Sequence, residues 1–259
     1  MILTIDIENK NIVVGCFDGE KLVFIERIST GLSTTALEYT VTLRAVLDIH
    51  GIKQGSVDGG IISSVVPSVT AAVKSAAENI TGREIPVLVP GMKTGLSILI
   101  DDPAQLGSNL VAGAVAGINL YKPPMIIIDM GTAVTFSVID EKKCYIGGLI
   151  MPGIRSSLDS LIAGTSLLAN ISITPPKKLI ASNTADCLKS GAIYSSASSI
   201  DGIVDRIENE LGAACSVIAT GTGAKLITEQ CRHDIIVDDD LLLKGLMLIY
   251  KKTAESSAF

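Results

Sequence analysis

The sequence predicts a duplicated α/β fold, on three observations. A strand ending in aspartate occurs twice, as Leu3-Thr4-Ile5-Asp6 and as Ile126-Ile127-Ile128-Asp129. Each is followed by a short corner and two further apolar runs, and then by alternating helical and strand patterns. Between the copies lies Tyr121-Lys122-Pro123-Pro124, where two prolines can continue neither a helix nor a central strand. The expected domains are therefore residues 1–120 and 121–259, two lobes with mixed sheets flanked by helices.

In the first half, residues 2–7 and 11–17 read as a hairpin continued by a strand over 21–29. Residues 34–51 show helical spacing at Leu37, Val41, Leu43, Val46 and Leu47 and end on Gly51. Residues 59–67 read as a buried strand stopped by Pro67, 68–82 as a helix, and Ile85 to Val89 as a strand. In the second half, strands are expected over 125–131, 132–140 and 143–153, with a helix over 154–168. Residues 184–211 read as helical in two pieces. A strand over 215–221, a helix over 223–231, a strand over 234–238 and a helix over 241–252 follow, with a disordered tail after Lys252.

Of the 259 residues, 47% are apolar but only 3% aromatic, so the core must be built from Ile, Val, Leu and Ala. The net charge is −6, and basic residues cluster no further than the pairs Lys142-Lys143, Lys177-Lys178 and Lys251-Lys252. That balance argues against nucleic-acid and anionic-membrane partners and favours small-molecule chemistry. The five cysteines are scattered without a CxxC pair, as reduced structural thiols would be. No basic leader precedes a long apolar stretch, and no run reaches the roughly 18 apolar residues of a membrane helix. A soluble, cytoplasmic protein is expected. His50 and His233 stand without partner motifs and read as surface or capping residues, and Asp238-Asp239-Asp240 as the acidic start of a helix.

A carboxylate at the end of a buried strand, beside a turn of small residues, can hold a hydrated cation while the turn's backbone accepts phosphate oxygens. In Asp129-Met130-Gly131-Thr132-Ala133, Gly131 permits close backbone approach and Thr132 adds a hydroxyl. Two such turns facing each other would clamp a triphosphate. Thr220-Gly221-Thr222-Gly223, between a strand and a helix, suits a nucleotide but also suits a plain connector. A strand-end Asp can equally be a turn residue; its repetition in both halves favours the functional reading.

The ordered segments TIDIENKNIVVGCFDG, GGIISSVVPSV, MKTGLSI, DDPAQLG, IIIDMGTAVTF, YIGGLIMPGIRSSLDSL, NTADCLKSGAIY and ATGTGAKLI together resemble type III pantothenate kinases. That family belongs to the actin/hexokinase/Hsp70-like ATPases, whose fold is a duplicated ribonuclease H-like one. The resemblance implies ATP-dependent phosphorylation of pantothenate in coenzyme A biosynthesis by a homodimer using Mg²⁺ and a monovalent cation, K⁺ or NH₄⁺. It places Asp6 and the turn through Asn9 in the first phosphate loop, Asp129 as the monovalent-cation ligand and Thr132 at ATP; the turns themselves add Lys10 near a phosphate, Asp6 as a metal ligand, and Gly131, Gly221 and Gly223 about ATP. Gly107, Ser108, Leu110 and Thr184 fall at substrate positions, and Asn109 at the catalytic base.

Departures gather at these same places. The family's Gly-Ala-Asp-Arg is Gly107-Ser108-Asn109-Leu110 here, so an amide replaces the base and the guanidinium is lost. General-base help is commonly worth about 10²–10⁴ in rate. The Asp-x-Gly-Asn-Thr loop carries Glu8 and Lys10, an aromatic position is Ile100, Thr-Gly-Gly has become Thr220-Gly221-Thr222, and an acidic position is Ser137. The pattern implies an impaired kinase acting on pantothenate or a similar small hydroxy acid. The alternatives are a silent paralogue serving as a ligand-binding or regulatory partner subunit and, more remotely, an actin-like nucleotide switch.

Overall fold

The computed structural model describes residues 1–165 and 171–256. The chain forms two compact units, one of residues 1–96, 101–119 and 240–259, the other of 97–100 and 120–239. The boundary read from the sequence lies at 120/121, whereas residues 240–256 pack with the first unit.

In the first unit, β1 (Ile2–Ile7), β2 (Asn11–Asp18), β3 (Lys21–Ser29) and β4 (Gly59–Ser64) form a sheet in the order β3-β2-β1-β4. β1 is antiparallel to β2 and parallel to β4, with Asp6 level with Val13 on one side and Ser63 on the other. Near-continuous burial along the central strand β1 and along β4 at the sheet's end is that of strands covered on both faces. α1 (Ala36–Ile49) begins with a capping box, in which Thr35 accepts from the Glu38 N–H and the Glu38 carboxylate accepts from the Thr35 N–H. α2 (Pro67–Thr81) has Pro67 in its first turn, where a missing N–H does no harm, and ends on Gly82 at φ +66°. The expected strand over 85–89 is reduced to a single parallel bridge, Val87 to Ile62.

Two helices complete this unit. α3 (Ser108–Leu120) has no counterpart among the expected elements, because its buried run Val111 to Gly117 shows no polar face to mark a helical period. α7 (Leu241–Ser256) packs on β1 and β4 and continues as helix past Lys252, where a disordered tail was expected. Gly245 meets α3 so closely that a Cβ there would lie 1.9 Å from the Ala112 carbonyl oxygen. Gly59 leaves room for the Tyr250 ring in the same way.

The second unit carries β5 (Ser97–Ile98), β6 (Met125–Met130), β7 (Ala133–Ile139), β8 (Cys144–Pro152), β9 (Ser216–Thr220) and β10 (Ile236–Val237), in the order β10-β9-β6-β7-β8-β5. Removing the two short edge strands, β5 and β10, leaves the plan of the first sheet, with β8, β7, β6 and β9 standing where β3, β2, β1 and β4 do. α4 (Ile154–Ala163) covers part of the expected helix 154–168, whose last residues lie outside the described ones. Residues 184–211 form one unbroken helix, α5 (Thr184–Leu211), rather than two pieces; Asn183 caps its start and Gly212, at φ +67°, its end. The short α6 (Ala224–Thr228) follows β9. Ile128, Met130, Val134, Phe136 and Ala219 join Ile193, Ile200 and Val204 of α5 in the core on one face of the sheet.

Candidate active site

In the first unit the chemistry gathers at the C-terminal ends of β1 and β4. Asp6 is 2% exposed and lies beside Ser63, which is fully buried. The Ser63 hydroxyl is 3.0 Å from that of Ser108 at the start of α3. Ser108 Oγ also accepts from the Ser64 N–H at 3.1 Å and donates to the Ser64 carbonyl at 3.2 Å, tying the helix to the strand end. Beside this tie the Asn109 side chain turns back over Gly107: its Oδ1 lies 2.7 Å from where a Cβ on Gly107 would stand. Gly107, Ser108, Asn109 and Leu110, all half-buried, thus sit in one helical turn next to the strand that carries Ser63. Sequence reasoning passed over Ser63 and Ser64; the only available signal was two adjacent hydroxyls at the end of an apolar strand.

The β1–β2 corner is closed by the Glu8 N–H donating to the Asn11 carbonyl, with the Thr30 hydroxyl and N–H donating to the Glu8 and Lys10 carbonyls. Asn9 and Lys10 are exposed on it. Glu8 is half-buried, and desolvation raises its carboxyl above the ordinary value of 4.5, with Arg27 pulling the other way.

In the second unit Asp129 occupies the place of Asp6, level with Thr135 on β7 and Thr220 on β9. The turn that follows is held tightly. The Gly131 N–H donates to the Ala133 carbonyl, and the Thr132 carbonyl accepts from the Gly153 N–H at 3.0 Å and the Ser156 hydroxyl at 2.7 Å. A Cβ on Gly153 would stand 2.3 Å from the Gly131 carbonyl oxygen, and one on Gly221, at φ +93°, 2.7 Å from that of Met130. Only glycine lets these three backbones converge. The Gly223 N–H donates to the Met130 carbonyl at 3.4 Å, so, like that of Gly131, it is engaged within the turns themselves. Gly131 and Gly223 do line a cavity of about 210 Å³, with Arg155, Ile200 and Leu226 among its walls. Thr184 is exposed in the first turn of α5.

Among the described residues no three His, Cys, Asp or Glu side chains form a metal-binding group. A cation here would be held by one carboxylate at a time, with water and phosphate oxygens completing its shell, as Mg²⁺ is usually held in kinase sites. The oxygen donors fit such hard cations: Asp6 with the Ser63 hydroxyl level with it, and Asp129 between two threonines.

Comparison with known proteins agrees with this architecture. The family described as "Type III pantothenate kinase" matches residues 2–206. The type III pantothenate kinase of Halalkalibacterium halodurans is 40% identical over 252 residues, covering 97% of this chain and 99% of that protein. Two solved structures share the fold at low identity. A Baf family transcriptional activator from Campylobacter jejuni has a TM-score of 0.58 at 19% identity, with 98% of this chain and 99% of that one covered. A 2-dehydro-3-deoxygalactonokinase protein from Sinorhizobium meliloti has a TM-score of 0.57 at 13% identity, with 97% and 96% covered. With a sheet plan repeated in both halves, a family match over most of its length and a close full-length relative, this chain belongs to the type III pantothenate kinase family, on the actin-like ATPase fold.

Proposed function

We propose that this protein phosphorylates pantothenate, or a similar small hydroxy acid, from ATP, and does so slowly because the base position holds Asn109. The observation that carries the slowness is the amide at the first turn of α3, folded over Gly107 beside the Ser63–Ser108 tie. An amide can orient a hydroxyl but does not take its proton near neutral pH. Phosphoryl transfer depends mainly on alignment and charge neutralisation, so loss of the base lowers the rate without abolishing it.

In this reading Asp6, Asn9 and Lys10 serve the phosphates, and Gly131, Thr132, Gly221 and Gly223 the nucleotide. Gly107, Ser108, Leu110 and Thr184 serve the acceptor, with Leu110 supplying apolar contact in place of the guanidinium. Asp6 would hold Mg²⁺ and Asp129 a monovalent cation, K⁺ or NH₄⁺. Bound Mg²⁺ neutralises phosphate charge. The cavity beside Gly131 and Gly223 supports a nucleotide site in the second unit. We place the protein in the cytoplasm as a homodimer.

The test is ATP-dependent phosphorylation of pantothenate by the purified protein and by Asn109→Asp/Leu110→Arg. The wild type should turn over slowly, and the double variant about 10²-fold or more faster. A folded double variant no faster than a silent wild type would refute the kinase reading. The loss of both the base and the guanidinium favours a second reading, a regulatory subunit bound to an active paralogue, which co-purification with that paralogue would show.

A further inference from the structure

We infer that Thr135 is a further oxygen ligand of the cation assigned to Asp129, an inference that rests on the proposed cation role of Asp129. Three polar residues stand in a row across three neighbouring strands: Thr135 on β7, Asp129 on β6 and Thr220 on β9. Residues level with each other on adjacent strands point to the same face, with Cβ atoms about 4.5–5.5 Å apart. Their neighbours Met130, Val134 and Ala219 belong to the core on one face, so the three polar side chains share the other.

Thr135 is singular in this row. Its hydroxyl oxygen is buried and, among the described residues, hydrogen-bonds to nothing. A buried hydroxyl without a partner destabilises a fold, so its retention points to a partner that the chain does not itself supply. A carboxylate flanked by two neutral hydroxyls offers oxygen ligands around one negative charge, which matches a singly charged alkali ion better than a divalent one. The first unit gives the contrast. There Asp6 has Ser63 on one side but Val13 on the other, so the second hydroxyl is present only beside the aspartate assigned to the monovalent cation.

The experiment compares wild type, Thr135→Val, Thr135→Ser and Asp129→Asn by thermal unfolding, with KCl titrated against choline chloride at constant ionic strength. Wild type and Thr135→Ser should be stabilised by K⁺. In Thr135→Val the half-maximal K⁺ concentration should rise roughly ten-fold or more, and in choline chloride alone this variant should melt higher than wild type because the orphan hydroxyl is gone. If Thr135→Val keeps the wild-type K⁺ response, the inference is overturned while the cation reading of Asp129 stands. If wild type shows no K⁺ response, or Asp129→Asn retains it, the cation reading fails and takes the inference with it. Should Thr135→Val not fold, Thr135→Ala is judged by the same K⁺ response.

Discussion

The first-unit site turns on two side chains, Asn109 and Glu8. The rate expected from restoring Asp at 109 measures what the amide withholds; the behaviour of Glu8 can be read without any assay of activity. Burial raises its carboxyl, so the folded chain favours the protonated form more than the unfolded chain does. Its contribution to stability is therefore fully present below the ordinary value of 4.5 and is lost as pH rises through the raised one. Glu8→Gln should accordingly melt above wild type at pH 7, with the gap closing towards pH 4, and denaturant titrations at the two pH values decide it. Thiol chemistry follows the same physics. Burial, aided by Asp201, pushes Cys231 up to about 12, and burial with Glu208 pushes Cys215 to about 11, so both stay protonated at neutral pH as structural thiols do. The two histidines end as clips: His50 closes α1, stacks on Phe24 and meets Glu26 at 2.9 Å, and His233 meets Asp205 at 2.8 Å.

Among the elements, the crossing of α3 and α7 leaves no room for a side chain at Gly245. Gly245→Val would drive a side chain into the Ala112 backbone, and overpacking of this kind typically costs about 1–3 kcal/mol. Equilibrium unfolding in urea should show that loss, whereas a neutral result would mean the helices can slide apart. The same crossing explains what the sequence could and could not reveal. Strands such as β1 and β6 were legible because apolar runs ending in Asp are distinctive, and α1 because its capping box and apolar spacing agree. α3 was illegible because a helix buried all round, built from Ala, Gly and Val, has no polar face to set its period. The long α5 was divided in two because Gly191 and the serines at 195, 196, 198 and 199 weaken its local propensity, yet packing of Ile193, Ile200 and Val204 holds it continuous. Of the candidate site, the two aspartates and Asn109 could be found from motifs, but Ser63 and Thr135 emerge only once register places them beside Asp6 and Asp129.

For the molecule as a whole, the decisive feature is a unit assembled from distant stretches of chain. Leu241, Leu243, Leu246, Met247 and Ile249 of α7 are all buried. Each such side chain contributes about 1.5–3 kcal/mol, so together they rival the roughly 5–15 kcal/mol that holds a whole domain folded. Truncation before Asp240 should therefore unfold the first unit, and limited proteolysis of the truncated protein should cut first within residues 1–96. Survival of that segment would show that the four-stranded sheet needs no α7. A ribosome emits residues 1–96 early, but the helix that covers β1 and β4 emerges only after residue 240. The second unit, nearly continuous from 120 to 239, is thus synthesised whole while the first still waits for its last piece. Nascent-chain folding is expected to run against the usual N-terminus-first order, with a chaperone's best target being the exposed early sheet.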